Sequence, residues 1–218
     1  MSKKEEKLKG AVLTAFIDMT LEKEAFPLSV FKFCKDNDIE EIFFYKHFGS
    51  LDAVKGQIWK FFYDNAMGLL EKDATFENAS PKDKLLSFYF TFFEVLLLNR
   101  SYVLFSLSSH QSNMVKMSQL SKMRSSFKDF AEDLIDSGNT NKNESYLQHP
   151  PKIFSEGAWI QFAFLMKFWI NDTSVDFEKT DQAIEKSVQT AFDLFDNTPL
   201  GTLVDFGKFL WKEKFVFN

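Results

Sequence analysis

The stretch Leu28 to Leu51, LSVFKFCKDNDIEEIFFYKHFGSL, holds the residue types and spacing that could do chemistry, and that chemistry is recognition. Val30, Phe33, Cys34 and Ile39 are the apolar positions that a first short helix and its turn would bury, and Phe44, Tyr45 and Phe48 continue the pattern through a second. Ser29 can cap the first helix by accepting a backbone N–H. Asp36, Asn37 and Asp38 are turn formers, which puts the break between the two. Two short helices joined by a tight turn are the arrangement by which the second, here about Glu40 to His47, is laid in a DNA major groove with its N-terminal half toward the base edges. That half reads Glu40, Glu41, Ile42, Phe43. A glutamate can accept from cytosine, but with Asp36 and Asp38 these carboxylates occupy the place a phosphate would take at a helix N-terminus.

Bond-making chemistry has no comparable constellation. His47, His110 and His149 lie in different segments, and none has a metal-ligand spacing with Cys, Asp or Glu. There is no Gly-rich phosphate loop and no nucleophile elbow. The expectation is therefore no catalytic residue, no metal and no cofactor. Cys34 excludes an internal disulfide, and its apolar face reads as a small core position.

FYKHFGS, Phe44 to Ser50, resembles the signature that closes the DNA-binding domain of TetR-family transcriptional regulators, and SVFKFCK before it has the family's spacing. The resemblance implies an all-α protein: a three-helix N-terminal helix-turn-helix domain over residues 1–50, then a helical-bundle ligand-binding and dimerisation domain over residues 51–218. It implies DNA-binding candidates at Ser29, Glu41, Phe43, Tyr45, Lys46 and His47, of which the last three match family positions that touch the backbone. Glu40 to Phe43 depart from the family's small hydroxylated, glycine and basic residues there. It further implies a palindromic double-stranded operator, a homodimer formed through late helices at 153–171 and 176–196, and a small apolar or aromatic effector. Phe88, Phe92, Phe105, Trp159, Phe162 and Met166 are the candidate effector-lining residues. An alternative, resembling lipid-binding proteins of ubiquinone biosynthesis built on the same fold, is a lipid- or isoprenoid-binding accessory protein with degenerate DNA binding.

Charge bears on that choice. Residues 1–60 hold ten lysines, no arginine and ten acidic residues, a net charge of zero. Duplex affinity comes largely from neutralised phosphates, and arginine is the commonest direct reader of guanine, so this surface is a weak one by that measure. Over the 218 residues, 45% are hydrophobic and 28 are phenylalanine, enough for a bulky aromatic core or an apolar cavity. No run of 18 uncharged apolar residues occurs and the start, MSKKEEKLKG, lacks a signal-type apolar stretch, so the expected location is the cytoplasm with no membrane span.

The periodicity predicts helices from Leu8 to about Ala25, Leu51 to about Lys72, Pro81 to about Leu98 with Ser80 as cap, Tyr102 to Leu107, and Asn113 to Ser137 with Gly138 as the stop. Further helices follow from Ile153 to about Asn171 and from Asp176 to about Asp196. The first of these is apolar on almost every side and is expected to be buried all round, either in the core or against a partner. Residues 73–79 and 138–152 read as loops, and the tail from Leu200 to Phe217 as one more docked helix.

Overall fold

A computed structural model describes residues 3–108, 113–139 and 150–197. Among the described residues every regular element is helical. They are α1 (Lys3–Lys23), α2 (Val30–Asp36), α3 (Glu41–His47), α4 (Leu51–Leu70), α5 (Ala74–Glu77), α6 (Pro81–Leu97), α7 (Arg100–Ser106), α8 (Asn113–Asn139), α9 (Pro151–Asn171) and α10 (Glu178–Asn197). The chain forms two compact units, one of Met1–Phe62 with Leu96–Met123, the other of Tyr63–Val95 with Arg124–Asn218. The expected tail helix, and residues 140–149 of the expected loop, lie outside the described residues.

The first unit is organised by a chain of rings. Val12, Leu13, Phe16 and Met19 of α1 are buried at helical spacing. Phe16 meets Phe33 of α2 edge-on at 5.8 Å, Phe33 meets Phe44 of α3 at 6.0 Å, and Phe44 meets Phe48 at 5.6 Å. Each such side chain contributes about 1.5–3 kcal/mol by burial, and ring pairs of this geometry add about 0.5–1.5 kcal/mol. That aromatic line fixes α1 and the two short helices α2 and α3 against one another. Phe26, in the link between α1 and α2, stacks on Phe16 and takes the edge of Phe105 from α7 at 5.1 Å. On α4, Trp59 packs against Phe62, which also meets Tyr102 of α7, while the Gln119 amide of α8 donates to the Ser106 carbonyl. Tyr102 is fully buried and its hydroxyl has no hydrogen-bond partner among the described residues.

The second unit is a phenylalanine-rich bundle. Phe88 and Phe92 of α6 stack on each other at 5.5 Å, and Phe127 of α8 lies 5.3 Å from Phe88 and 5.6 Å from Phe162 of α9. The Tyr89 hydroxyl reaches the Ala158 carbonyl and Gln161 Oε1, each at 3.3 Å, and the Tyr63 hydroxyl donates to the Ser126 carbonyl at 3.0 Å. Glu156 of α9 receives Arg124 at 2.8 Å and Lys128 at 2.7 Å, both from α8. Between α9 and α10, the Asp172 carboxylate accepts from the backbone N–H and hydroxyl of both Ser174 and Thr180. This clasp ties the end of α9 to the first turn of α10.

Several expectations are corrected. The first helix begins at Lys3, ahead of the expected Leu8, and ends at Lys23, where Glu24 takes a positive φ of 48°. The segment at 73–79 holds the short helix α5, which Asp73 caps by accepting from Thr75. Gly138 does not stop α8, which runs through it to Asn139. The last helix starts at Glu178, two residues late, because Asp176 and Phe177 take positive φ inside the Asp172 clasp. The periodicity also puts Phe61 and Leu69 on the apolar face of α4 and Met117 on that of α8, but all three are exposed; the buried hydrophobic residues of α4 are Val54, Ile58, Trp59, Phe62, Tyr63, Ala66 and Leu70. On α9, Ile160 and Phe164, 44% and 53% exposed, stand on one side of the helix, so the chain's own core covers only part of it.

Candidate nucleic-acid interface

The helix-turn-helix is built from local signals that work as the spacing predicts. Ser29 is the N-cap of α2, its Oγ accepting from Lys32 N at 3.3 Å. The helix ends where Asn37 turns back, its side-chain amide donating to the Phe33 carbonyl at 2.8 Å. Asp38 then adopts φ 54°, a left-handed conformation that Asp tolerates better than most residues. Ile39 N closes the turn on the Cys34 carbonyl at 2.9 Å. Glu40 is the N-cap position of α3, with no side-chain capping bond. Ser50 caps α4 by accepting from Ala53 N.

The seven-residue α3 has a buried side and an open side. Phe44 and the following Phe48 are buried against Phe33 and each other, while Glu41, Ile42, Tyr45 and Lys46 face out. Tyr45 is therefore corrected from an apolar core position to a surface one: it is 55% exposed, with only a ring edge against Phe44. Phe43 is half-buried and its ring lies 4.5 Å from that of His47. Ser29 and Glu41 are exposed. Five of the six expected DNA-binding residues are thus on α3, with Ser29 at the start of α2, yet Lys46 and His47 already face a carboxylate. Glu5 of α1 places one carboxylate oxygen 2.8 Å from Lys46 Nζ and 3.3 Å from His47 Nε2. Lys23 pairs similarly with Asp36 at 3.2 Å.

Ile42, from the half of α3 expected to face base edges, and two residues outside the candidate set, Leu28 and Phe31, are open to solvent. Leu28 is 98% exposed, Phe31 61% and Ile42 83%. Phe31 and Ile42 share a surface cleft of about 350 Å³ whose other walls include Ile39, Glu40 and Glu41. Their signal in the sequence was spacing: Ile42 lies three residues from Tyr45 and off the Phe44–Phe48 stripe, on the opposite side of a helix. Cys34, at the back of the cleft, is buried, and burial with the nearby Glu41 carboxylate pushes its thiol pKa up, as for an inert core cysteine.

The expected effector residues divide. Phe88, Phe92, Trp159, Phe162 and Met166 are all buried in the second unit, where Trp159 stacks on Phe162 at 5.0 Å and Phe162 meets Phe92 at a tilt at 5.6 Å. Phe105 is not with them; it belongs to the first unit, against Phe26. Arg124 is bound to Glu156 and lies over the Trp159 ring at 5.6 Å. Among the described residues no group of three or more His, Cys, Asp or Glu is gathered as a metal site, and no single helix is long and apolar enough to cross a membrane.

Residues 84–210, more than half of the chain, match the family model described as tetracyclin repressor-like, C-terminal domain. No curated protein and no solved structure matches the chain. The matched region begins within α6 and takes in α7 to α10, the elements that carry the aromatic bundle and the late helix pair. With an all-helical architecture, a helix-turn-helix at Ser29–Phe48 and that match, the chain belongs to the TetR family, whose members are transcriptional regulators and not enzymes.

Proposed function

We propose that this chain is a homodimeric, cytoplasmic one-component regulator: residues 1–50 bind a palindromic operator, and residues 51–218 sense a small apolar or aromatic effector and dimerise. The observation that carries the DNA reading is α3 itself, anchored by Phe44 and Phe48 and turning Glu41, Ile42, Tyr45 and Lys46 outward. Such a helix, held from behind by rings, is rigid enough to be laid in a groove. Effector uptake opens the aromatic bundle among Phe88, Phe92, Trp159, Phe162 and Met166, which suits a ligand that replaces ring–ring contact with ring–ligand contact. Because α4 and α8 each contribute residues to both units, a shift in either helix on ligand entry changes the support of the DNA-binding helices. Dimerisation uses α9 and α10, where Ile160 and Phe164 form an apolar stripe that a symmetry mate covers. The test is selection from a random duplex library at low and moderate salt, followed by anisotropy on enriched sites. An enriched palindrome with salt-dependent affinity is the expected outcome, and absence of any enriched duplex at low salt would refute it.

One observation favours a second reading, a lipid- or isoprenoid-binding accessory protein. The N-terminal sixty residues are net neutral, and Lys46 and His47 face Glu5. Native mass spectrometry and solvent extraction of the purified protein test it. Co-purifying isoprenoid together with no DNA enrichment would favour this reading over the first.

A further inference from the structure

We propose that the outward face of α3, with Ile42 beside Phe31 and Glu41, reads pyrimidines in the major groove: thymine through its C5-methyl group and cytosine through its N4 amino group. This rests on the DNA-binding reading above and adds what the helix recognises. Phe31 and Ile42, 61% and 83% exposed, converge on one cleft from two different helices, with Ile39 beside them. The apolar feature that base edges present in a major groove is the thymine methyl, so an aliphatic and an aromatic side chain there match thymine.

The charged groups in the same cleft narrow the choice further. Glu40 and Glu41 are acceptors only. Guanine presents two acceptors, N7 and O6, and repels a carboxylate; adenine presents an acceptor beside its donor; cytosine presents the N4 donor alone. No arginine occurs in the first sixty residues to make a bidentate guanine contact. Of the lysines, Lys35 of α2 lines the cleft on its Phe31 side, its Nζ 5.9 Å from the Phe31 ring centre, while Lys32 lies one turn earlier on α2 and Lys46 at the end of α3. That arrangement complements a duplex, with acceptors toward base amino groups and cations toward the flanking phosphates.

The experiment uses the full-length protein and the best duplex from the random-library selection, prepared with thymine and with every half-site thymine replaced by uracil. The replacement removes only the methyl. Burial of one methyl corresponds to about fourfold in affinity, so wild-type protein is expected to bind the uracil duplex about fourfold more weakly for each contacted thymine. Ile42→Ala, at an exposed position whose fold is checked by circular dichroism, is expected to bind the two duplexes alike. Equal affinity of wild type for both duplexes, or selected half-sites whose contacted positions are guanines, would overturn the inference while leaving DNA binding standing. If no duplex is enriched, the DNA reading fails and the inference with it. Binding of a fluorescent Lys/Leu amphipathic helix that is lost in Ile42→Ala would then assign the face to a cationic protein segment.

Discussion

Tyr102 and Tyr89 should respond to the same substitution with opposite signs. Both are fully buried. The Tyr89 hydroxyl has the Ala158 carbonyl and Gln161 Oε1 at 3.3 Å, whereas that of Tyr102 has no partner among the described residues. Replacing tyrosine by phenylalanine keeps the ring, and with it the packing of residue 102 on Phe62. At Tyr102 the change deletes an uncompensated desolvation cost of about 1–3 kcal/mol. The small void left by the oxygen forfeits some dispersion contact, which leaves a net gain of about 1 kcal/mol, or about 2–4 °C in melting temperature at this chain length. At Tyr89 the change removes hydrogen bonding that contributes about 0.5–1.5 kcal/mol. The Gln161 amide keeps its bond to Ser187, so the expected loss is about 1 kcal/mol. Urea unfolding of the wild type, Tyr102→Phe and Tyr89→Phe measures both, provided circular dichroism and tryptophan fluorescence give coincident transitions and unchanged slopes. A Tyr102→Phe variant destabilised by about 1 kcal/mol or more would mean that its hydroxyl is paired, and equal effects at the two sites would refute the reasoning. Burial also pushes both hydroxyl pKa values up. The native state then keeps protons that the unfolded chain releases above about pH 10, so their contribution is intact below that pH and falls as pH climbs past it. Tyr102→Phe should make that alkaline decline shallower.

Glu5→Gln frees Lys46 and His47. An exposed pair of this kind contributes only about 0.2–1 kcal/mol to stability, but one added phosphate contact per protomer steepens the salt dependence of duplex affinity by about 1.8 in log–log slope per dimer. Anisotropy titrations across a salt series read it, and an unchanged slope would mean that Lys46 does not meet phosphate. For the α9–α10 clasp, hydrogen bonds from Ser174 and Thr180 hold the Asp172 carboxyl well below the usual carboxylate range. The clasp's contribution is therefore present above about pH 4 and lost as pH falls below it. Asp172→Asn should melt lower than wild type at pH 7, and the gap should narrow progressively as pH is lowered from about 4 toward the depressed native value, read by differential scanning fluorimetry; parallel curves would dismiss the clasp. Finally, Phe164→Glu, on the open side of α9, should shift the dimer to monomer in sedimentation velocity without altering helicity, and an intact dimer would move the interface elsewhere.

The parts legible from sequence were those governed by neighbours along the chain. Ser29 capping α2, Asn37 and Asp38 turning, Ser80 and Pro81 opening α6, and the buried Phe33–Phe44–Phe48 pattern all depend on groups within one or two helical turns, where bond geometry leaves few choices. The family likeness at residues 44–50 was readable for the same reason, since the motif is one continuous turn. Burial beyond that range was not: α9 is apolar around its circumference, so its composition could not say that Ile160 and Phe164 would be left open. Phe88 and Phe105 have the same chemistry and sit on successive helices of the sequence, yet only folding puts them in separate units. Tyr45 and Phe44 are adjacent aromatics, and only the ring of Phe33 decided which of them turned inward. Most consequential for function, Lys46 and its Glu5 partner lie 41 residues apart. A charge in sequence has a type and a place, but whether it is available to phosphate depends on what the tertiary structure brings within a few ångströms of it.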